Sequence, residues 1–288
     1  MKKNYIILPF YNDWRSLKKV LANLDRSLKN EKSDNNIVIV NDCSLRTFKK
    51  DKKYKSFKSF KVLDLKKNVG SQKAIFFGLK YLQKKIRNKK NDIIISVLDS
   101  DGEDNPFKLK QMINLASNKK GFFIFASRKA RTEGIIFRFI NQLRLIITYF
   151  LTGKFINVGN FSSFSSSILN QILSNDNLYL AYSSGVLKNY NKFYFLNIKK
   201  NKRYYDNSKV NLKFLIIHSL NILAVFYKNV LFRSLLLILL TAIFLKNLKI
   251  KIFIMSVLII LNIILIIKSY SFKIQKKGLS TICNLNNS

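Results

Sequence analysis

Acids are scarce in this chain. Only 15 Asp and Glu stand against 52 Lys and Arg in 288 residues, for a formal net charge of +37. Cysteine is scarcer still: Cys43 and Cys283 lie far apart, which excludes a metal-ligand spacing and a disulfide framework. A reducing compartment is therefore expected for the soluble part. The single histidine, His218, sits in an apolar run and is given no catalytic role. The N-terminus, MKKNYIILPFYND, has too short an apolar core for a signal peptide. The excess of cations fits an anionic partner, nucleic acid or a membrane surface. It fits equally a drift toward lysine on solvated faces, since the lysines are dispersed along the chain. Zinc-finger spacing, RNP aromatics and a recognition-helix pattern are all missing, so nucleic acid is not expected as a partner.

What the chain does contain is an alternation. Tyr5–Phe10, Asn36–Asp42, Phe60–Leu65, Asp92–Asp99 and Phe122–Ser127 are short apolar runs that read as strands covered on both faces. Trp14–Lys29, Ser71–Arg87 and Pro106–Asn118 read as helices between them, the third with Asp104 as its cap and Pro106 in its first turn. This order predicts an α/β fold with a mostly parallel sheet, in which ligands bind at the carboxyl ends of the strands.

The last third differs. Asn229–Leu245 and Ile252–Ile267 are almost wholly apolar and predict two transmembrane helices, with a re-entrant hairpin or a buried soluble one as the alternatives. At about 1.5 Å per residue they span only ~26 and ~24 Å, a shortfall that flanking lysines can offset by snorkelling. Gly134–Leu151 and Val210–Tyr227 mix apolar residues with a few polar ones and read as interfacial helices or as ordinary core helices. The expected organisation is a catalytic domain over residues 1–208, a juxtamembrane amphipathic helix over 209–228, two membrane helices over 229–267 and a basic tail over 268–288.

One stretch breaks the rule of scarce acids. VLDSDGEDNP, Val97–Pro106, gathers Asp99, Asp101, Glu103 and Asp104 directly after an apolar strand. Carboxylates this close repel one another, and a hard divalent cation such as Mg2+ or Mn2+ relieves the repulsion. The chain's two prolines, Pro9 and Pro106, both fall in stretches that form an ordered series with this one. YIILPFYND resembles a P-x-Y-N-E turn, with Asp13 in the last place. IVIVNDCS resembles V-D-D-x-S, with Asn41 before Asp42. LKKNVGSQKAIFFG matches N-x-G-x-x-x-A-x-x-x-G through Asn68, Gly70, Ala74 and Gly78. VLDSDGEDNP resembles D-x-D-x-Q-D-x-P, with Glu103 for Gln. SRKAR carries the pair Arg128 and Arg131, and RYYDNSK resembles R-x-x-G-x-S-K, with Asp206 for Gly.

In this order the motifs resemble the family 2 glycosyltransferases, specifically the branch of dolichyl- or polyprenyl-phosphate sugar synthases. The resemblance implies a GT-A fold and metal-assisted, inverting transfer of a sugar from a nucleotide-sugar donor to a polyprenyl phosphate or other lipid acceptor. It implies that Pro9, Tyr11 and Asp13 border the nucleotide and that Asp42 accepts from the base. Asp99 would meet the ribose and, with Asp101 and Glu103, the metal. Arg203 would reach the diphosphate, and Arg128, Arg131, Ser208 and Lys209 would receive the acceptor. Asp99, Asp101, Arg131 and Arg203 are the expected catalytic residues. The expected localisation is the membrane, multi-pass, with the catalytic domain facing the cytoplasm. A hydroxyl acceptor requires a general base, whereas a lipid phosphate is already an anion. The segment Asn157–Ser166 offers amides and hydroxyls where many relatives place an acid, which favours the phosphate; Asp104 and Glu133 remain possible bases. A glycan or lipid hydroxyl as acceptor, and a catalytically inactive relative, are the alternatives.

Overall fold

The structure is a computed structural model that describes residues 2–29, 33–45, 54–87, 93–128, 135–205 and 212–277. The chain divides into two compact units. The first takes the residues up to Arg131 together with Val158–Lys209, and the second takes Thr132–Asn157 with Val210–Ser280.

The first unit is built on a 7-stranded sheet of order β3-β2-β1-β4-β6-β5-β7. Its strands are β1 (Lys2–Phe10), β2 (Ser33–Asn41), β3 (Phe57–Asp64), β4 (Ile93–Val97), β5 (Phe123–Arg128), β6 (Val158–Ser165) and β7 (Phe193–Ile198). Strands β3, β2, β1 and β4 run parallel, and β5 runs parallel to β7. Only β6 runs against both of its neighbours. The five strands expected from apolar runs are present. β6 and β7 were not expected, β6 because of its side chains. β6 buries Ser162 and Ser163 in the core, where Ser163 Oγ lies 2.7 Å from Ser96 Oγ and Ser162 Oγ lies 2.8 Å from Tyr182 Oη. A hydroxyl with a partner does not carry the full cost of a buried polar group.

Helices cover both faces of this sheet. In α1 (Trp14–Ser27) the buried Leu17, Val20, Leu21 and Leu24 recur on one face. Fully burying each contributes roughly 1.5–3 kcal/mol. Asp13 caps the helix by accepting from the Ser16 N–H at 3.1 Å. α2 (Ser71–Ile86) sits close on β1 and β2 because of Gly78, where a Cβ would stand 2.9 Å from Ile7 and 3.0 Å from Val40. The third predicted helix begins as a 3-10 turn, Pro106–Lys108, and continues as α3 (Leu109–Asn118). Its cap is Asn105, which accepts from the Phe107 N–H at 3.0 Å, and not Asp104 as expected. The short helices α5 (Leu169–Ile172) and α6 (Tyr182–Asn189) follow β6.

The second unit holds α4 (Ile135–Thr152), α7 (Leu212–Val225), α8 (Tyr227–Phe244) and α9 (Leu248–Lys277). The expected catalytic span of 1–208 includes α4, whereas the contacts group α4 with the C-terminal helices. Its carboxyl end is closed by α8. Arg233 Nη1 donates to the Phe150 carbonyl at 3.1 Å, and its guanidinium fills the space beside Gly153, which has φ +72. A cation at the last turn of a helix meets the negative end of its dipole. α8 and α9 pack on each other as a hairpin, with Asn262 Nδ2 2.8 Å from Ser234 Oγ between them. Both are long and apolar enough to cross a bilayer. In α9 the candidate span covers the 23 residues Leu248–Tyr270, about 34 Å at ~1.5 Å per residue, so the shortfall read for the second segment disappears, whereas the 18 residues of α8 still reach only ~27 Å.

Candidate active site

Three parallel strands deliver the motif residues to one edge of the sheet. β1 ends with Phe10 opposite Asn41 of β2, and Ile7 lies opposite Val97 at the end of β4. The acid turn follows. Leu98 still bonds to the sheet, its N–H donating to the Ile7 carbonyl at 3.1 Å. Then the chain winds up. Asp104 is buried and turns back, its Oδ2 accepting the Asp99 N–H at 3.1 Å. Asp101 Oδ1 accepts the Glu103 N–H at 3.0 Å, and Ser100 Oγ donates to the Pro9 carbonyl at 2.7 Å. Local bonds of this kind are how Asp and Ser hold turns. Gly102, at φ +87, lies under the ring of Tyr204, and a Cβ there would come within 2.5 Å of the ring. The sequence supplies Gly where only Gly fits.

The segment after β7 closes over this turn. Asn201 N–H donates to the Glu103 carbonyl at 2.9 Å, and Tyr204 N–H donates to the Asp101 carbonyl at 3.2 Å. Asn23 Nδ2 of α1 donates to Tyr204 Oη at 2.8 Å. Arg203 Nη2 donates to Asp101 Oδ2 at 2.7 Å. Its Nε stands 3.5 Å from Glu103 Oε1 without an aligned hydrogen bond, so that contact is one of charge alone. Lys200 Nζ is 2.5 Å from Glu103 Oε2. Burial first, and then the charges of Asp99 and Glu103, push the Asp101 carboxyl up to about 6; the Glu103 N–H and Arg203 oppose the rise.

Asp99 faces β6. Asn160 Nδ2 lies 3.1 Å from its Oδ1 and 3.3 Å from its Oδ2. Asp42 is 3% exposed and spends both oxygens on the turn before α2, accepting from Val69 N–H at 2.7 Å and Gly70 N–H at 2.8 Å. Burial raises its carboxyl above the ordinary value, and those two donors work against the rise. The departure at Asn41 has a local reason. Its Nδ2 donates to Asp64 Oδ1 at 2.7 Å, where an aspartate would place two carboxylates in contact. Tyr11 is exposed, next to Asn12 in the left-handed region at φ 57.

The expected residues Pro9, Tyr11, Asp13, Asp42, Asp99, Asp101, Glu103 and Arg203 thus belong to the ends of β1, β2 and β4 and to the segment that covers them. Arg131, Glu133, Asp206, Ser208 and Lys209, and the side chain of Arg128, lie outside the described residues. Among the described residues no three His, Cys, Asp or Glu side chains converge into a metal cage. Of the three carboxylates expected to hold a metal, Glu103 is engaged by Lys200 and by the charge of Arg203. Sequence reasoning missed Lys200 and Asn160; neither stands out in a chain rich in Lys and Asn, and only the fold brings them to the acids.

A sheet with this strand order and an acid turn at its carboxyl edge is GT-A-like. The profile described as "Glycosyl transferase family 2" matches residues 5–173, more than half of the chain, and the chain belongs to that family. It is a glycosyltransferase. No curated protein matches the sequence. Among solved structures, S. aureus TarS 1-349 in complex with UDP-GlcNAc aligns with a TM-score of 0.51 at 17% identity, over 81% of this chain and 69% of that one. A mycobacterial protein aligns with a TM-score of 0.51 at 12% identity, over 79% and 74%.

Proposed function

We propose that this enzyme transfers a sugar from a nucleotide-sugar donor to a polyprenyl phosphate at the bilayer, with inversion and with help from Mg2+ or Mn2+. The observation that carries the reading is the company of Asp99: an amide, that of Asn160, faces it from β6. An amide does not take a proton at neutral pH, so Asn160 cannot serve as general base for an acceptor. A lipid phosphate arrives already ionised and needs none; a sugar hydroxyl does not. The UDP-GlcNAc bound by TarS, on a similar fold, supports a nucleotide sugar as donor.

The acid turn fits a divalent ion. Its donors are hard carboxylate oxygens, and the carboxylates of Asp99 and Glu103 lie close enough to Asp101 to add to the rise that burial gives it. Asp101 and Asp99 would hold the ion, with diphosphate oxygens and water completing the shell. Glu103 would join them on release from Lys200. Bound there, the ion supplies positive charge to the departing diphosphate.

The chain's own residues do the rest. Asp99 orients the ribose, while Pro9, Tyr11 and Asp13 border the base. Asp42 holds the Val69–Gly70 turn and presents its remaining lone pairs to the base. Arg203 exchanges Asp101 for the diphosphate, a fixed cation where charge develops. Arg128, Arg131, Ser208 and Lys209 receive the lipid phosphate, for which arginine's planar fork is suited. One phosphate oxygen attacks the anomeric carbon as its bond to the diphosphate breaks, and no proton has to leave. α7 lies at the interface, and α8 and α9 span the membrane with the catalytic unit on the cytoplasmic side.

A set of nucleotide sugars incubated with polyprenyl phosphate tests this, with and without chelator. The expected product is an acid-labile, phosphate-linked sugar lipid that fails to form after chelation. An acid-stable glycoside would overturn the acceptor, and undiminished transfer in chelator would overturn the metal.

A further inference from the structure

Asn160 does not act alone. Its Oδ1 accepts from Gln72 Nε2 at 3.1 Å, and Gln72 Oε1 accepts from the Tyr182 backbone N–H at 2.8 Å. The chain of bonds therefore runs from the first turn of α6, through the first turn of α2, to β6 and then to Asp99. Its direction is not free. A backbone N–H only donates, and an ionised carboxylate only accepts. These two ends determine which way each amide between them faces: Gln72 must turn its oxygen to Tyr182 and its nitrogen to Asn160, and Asn160 must then turn its nitrogen to Asp99. The anchoring N–H is also one that a helix start leaves without an intrahelical partner, and Ala181, which precedes α6, offers no side-chain cap.

We propose that Gln72 and Asn160 are positioning residues: a one-way amide relay, anchored on α6, that aims the Asp99 carboxylate at the donor and keeps it an acceptor. The proposal rests on the reading that Asp99 touches the donor, but not on the identity of the acceptor. It also explains why two polar side chains from distant parts of the chain meet behind the acid turn, 88 residues apart in sequence.

The relay makes an unusual prediction, because the more conservative change at Gln72 should be the worse one. Gln72→Ala removes one link but leaves Asn160 free to donate to Asp99. Gln72→Glu keeps the size and the acceptor for Tyr182, yet it offers oxygen to Asn160. The Asn160 amide must then flip, which points its own oxygen at Asp99. Measured at pH 8, where the new carboxyl is ionised, kcat/KM for the donor should fall only a few-fold in Gln72→Ala. It should fall about thirty-fold or more in Gln72→Glu, with both transfer and donor hydrolysis by water followed. Asn160→Ala should match Gln72→Glu, and in an Asp99→Asn background Gln72→Glu should add little.

A second measurement needs no donor. In the ligand-free protein with 15N-labelled asparagine, the Asn160 carboxamide resonance should shift in Gln72→Ala, which takes away one hydrogen bond, and shift further in Gln72→Glu, which also turns the amide. A role in packing alone predicts the opposite order of activities, and that order, or an unmoved Asn160 resonance in Gln72→Glu, would overturn the relay. A wild-type enzyme that turns over no nucleotide sugar would sink the proposed function, and the resonance would then still decide the relay.

Discussion

Asp101 gives the most quantitative prediction. Its carboxyl is pushed from the ordinary 3.8 to about 6, by burial first and then by Asp99 and Glu103. The folded protein therefore holds this proton more tightly than the unfolded chain does. The sign follows: between pH 4 and 6 the native state binds more protons, so stability falls as pH rises through that window. At about 1.4 kcal/mol per tenfold change, the loss amounts to roughly 3 kcal/mol at most. In a unit of this size it would lower the Tm by up to about 6–12 °C. Asp101→Asn removes the titration. Thermal unfolding of the two proteins in detergent, compared from pH 4 to 7 without divalent metal, should show the wild type losing stability relative to the variant. Mn2+ at pH 7 should then restore the wild type and leave Asp101→Asn unmoved, because the ion meets the same excess of negative charge that the proton meets at pH 4. Parallel pH profiles, or equal stabilisation of both proteins by Mn2+, would refute the reasoning.

Further expectations concern the neighbours of the turn. Arg203→Ala should lower turnover by about 10²- to 10³-fold while the fold is kept, as expected when a fixed charge is removed from a developing anion; steady-state kinetics beside circular dichroism will show it. Gly102→Ala should cost roughly 1–3 kcal/mol in urea unfolding, since the backbone is left-handed and Tyr204 occupies the new methyl's place; Tyr204→Leu in the same chain should recover only the part due to crowding. Asn41→Asp should destabilise by about 1–3 kcal/mol near neutral pH and less in acid, because it sets a second carboxylate against Asp64 and loses the bond between them. Equal stability of Asn41→Asp and wild type at pH 7 would show that the pair contributes nothing.

Much of the catalytic unit could be read without coordinates because its chemistry is local. Tyr5–Phe10 and Ile93–Val97 are covered on both faces by helices, so their side chains are apolar almost throughout, Ser96 excepted, and announce themselves. The acid turn is legible for the opposite reason: four carboxylates within six residues contradict the composition of everything around them. β6 was not legible. Its buried serines look like a loop until Ser96 and Tyr182 are placed beside them, 67 residues and 20 residues away in the chain. β7, FYFLNI, is as apolar as the strands that were read, and the same signal could have found it. Asp104 was read as a helix cap from its place before a proline, and the pull of the Asp99 N–H outweighed that local preference.

Short-range order therefore belongs to the sequence: the strands that are apolar throughout, the capped helices, the two long apolar segments and the place where acids gather. All of these depend on neighbours a few residues apart. The tertiary structure alone decides who answers the acids. Arg203 and Lys200 reach Asp101 and Glu103, and Gln72 reaches Asp99 through Asn160, across about a hundred residues or across the sheet. A lysine or an asparagine has no character of its own in a chain where such residues are everywhere. It becomes part of a site only when folding brings it within hydrogen-bonding distance of a carboxylate and removes the water that would otherwise take its place.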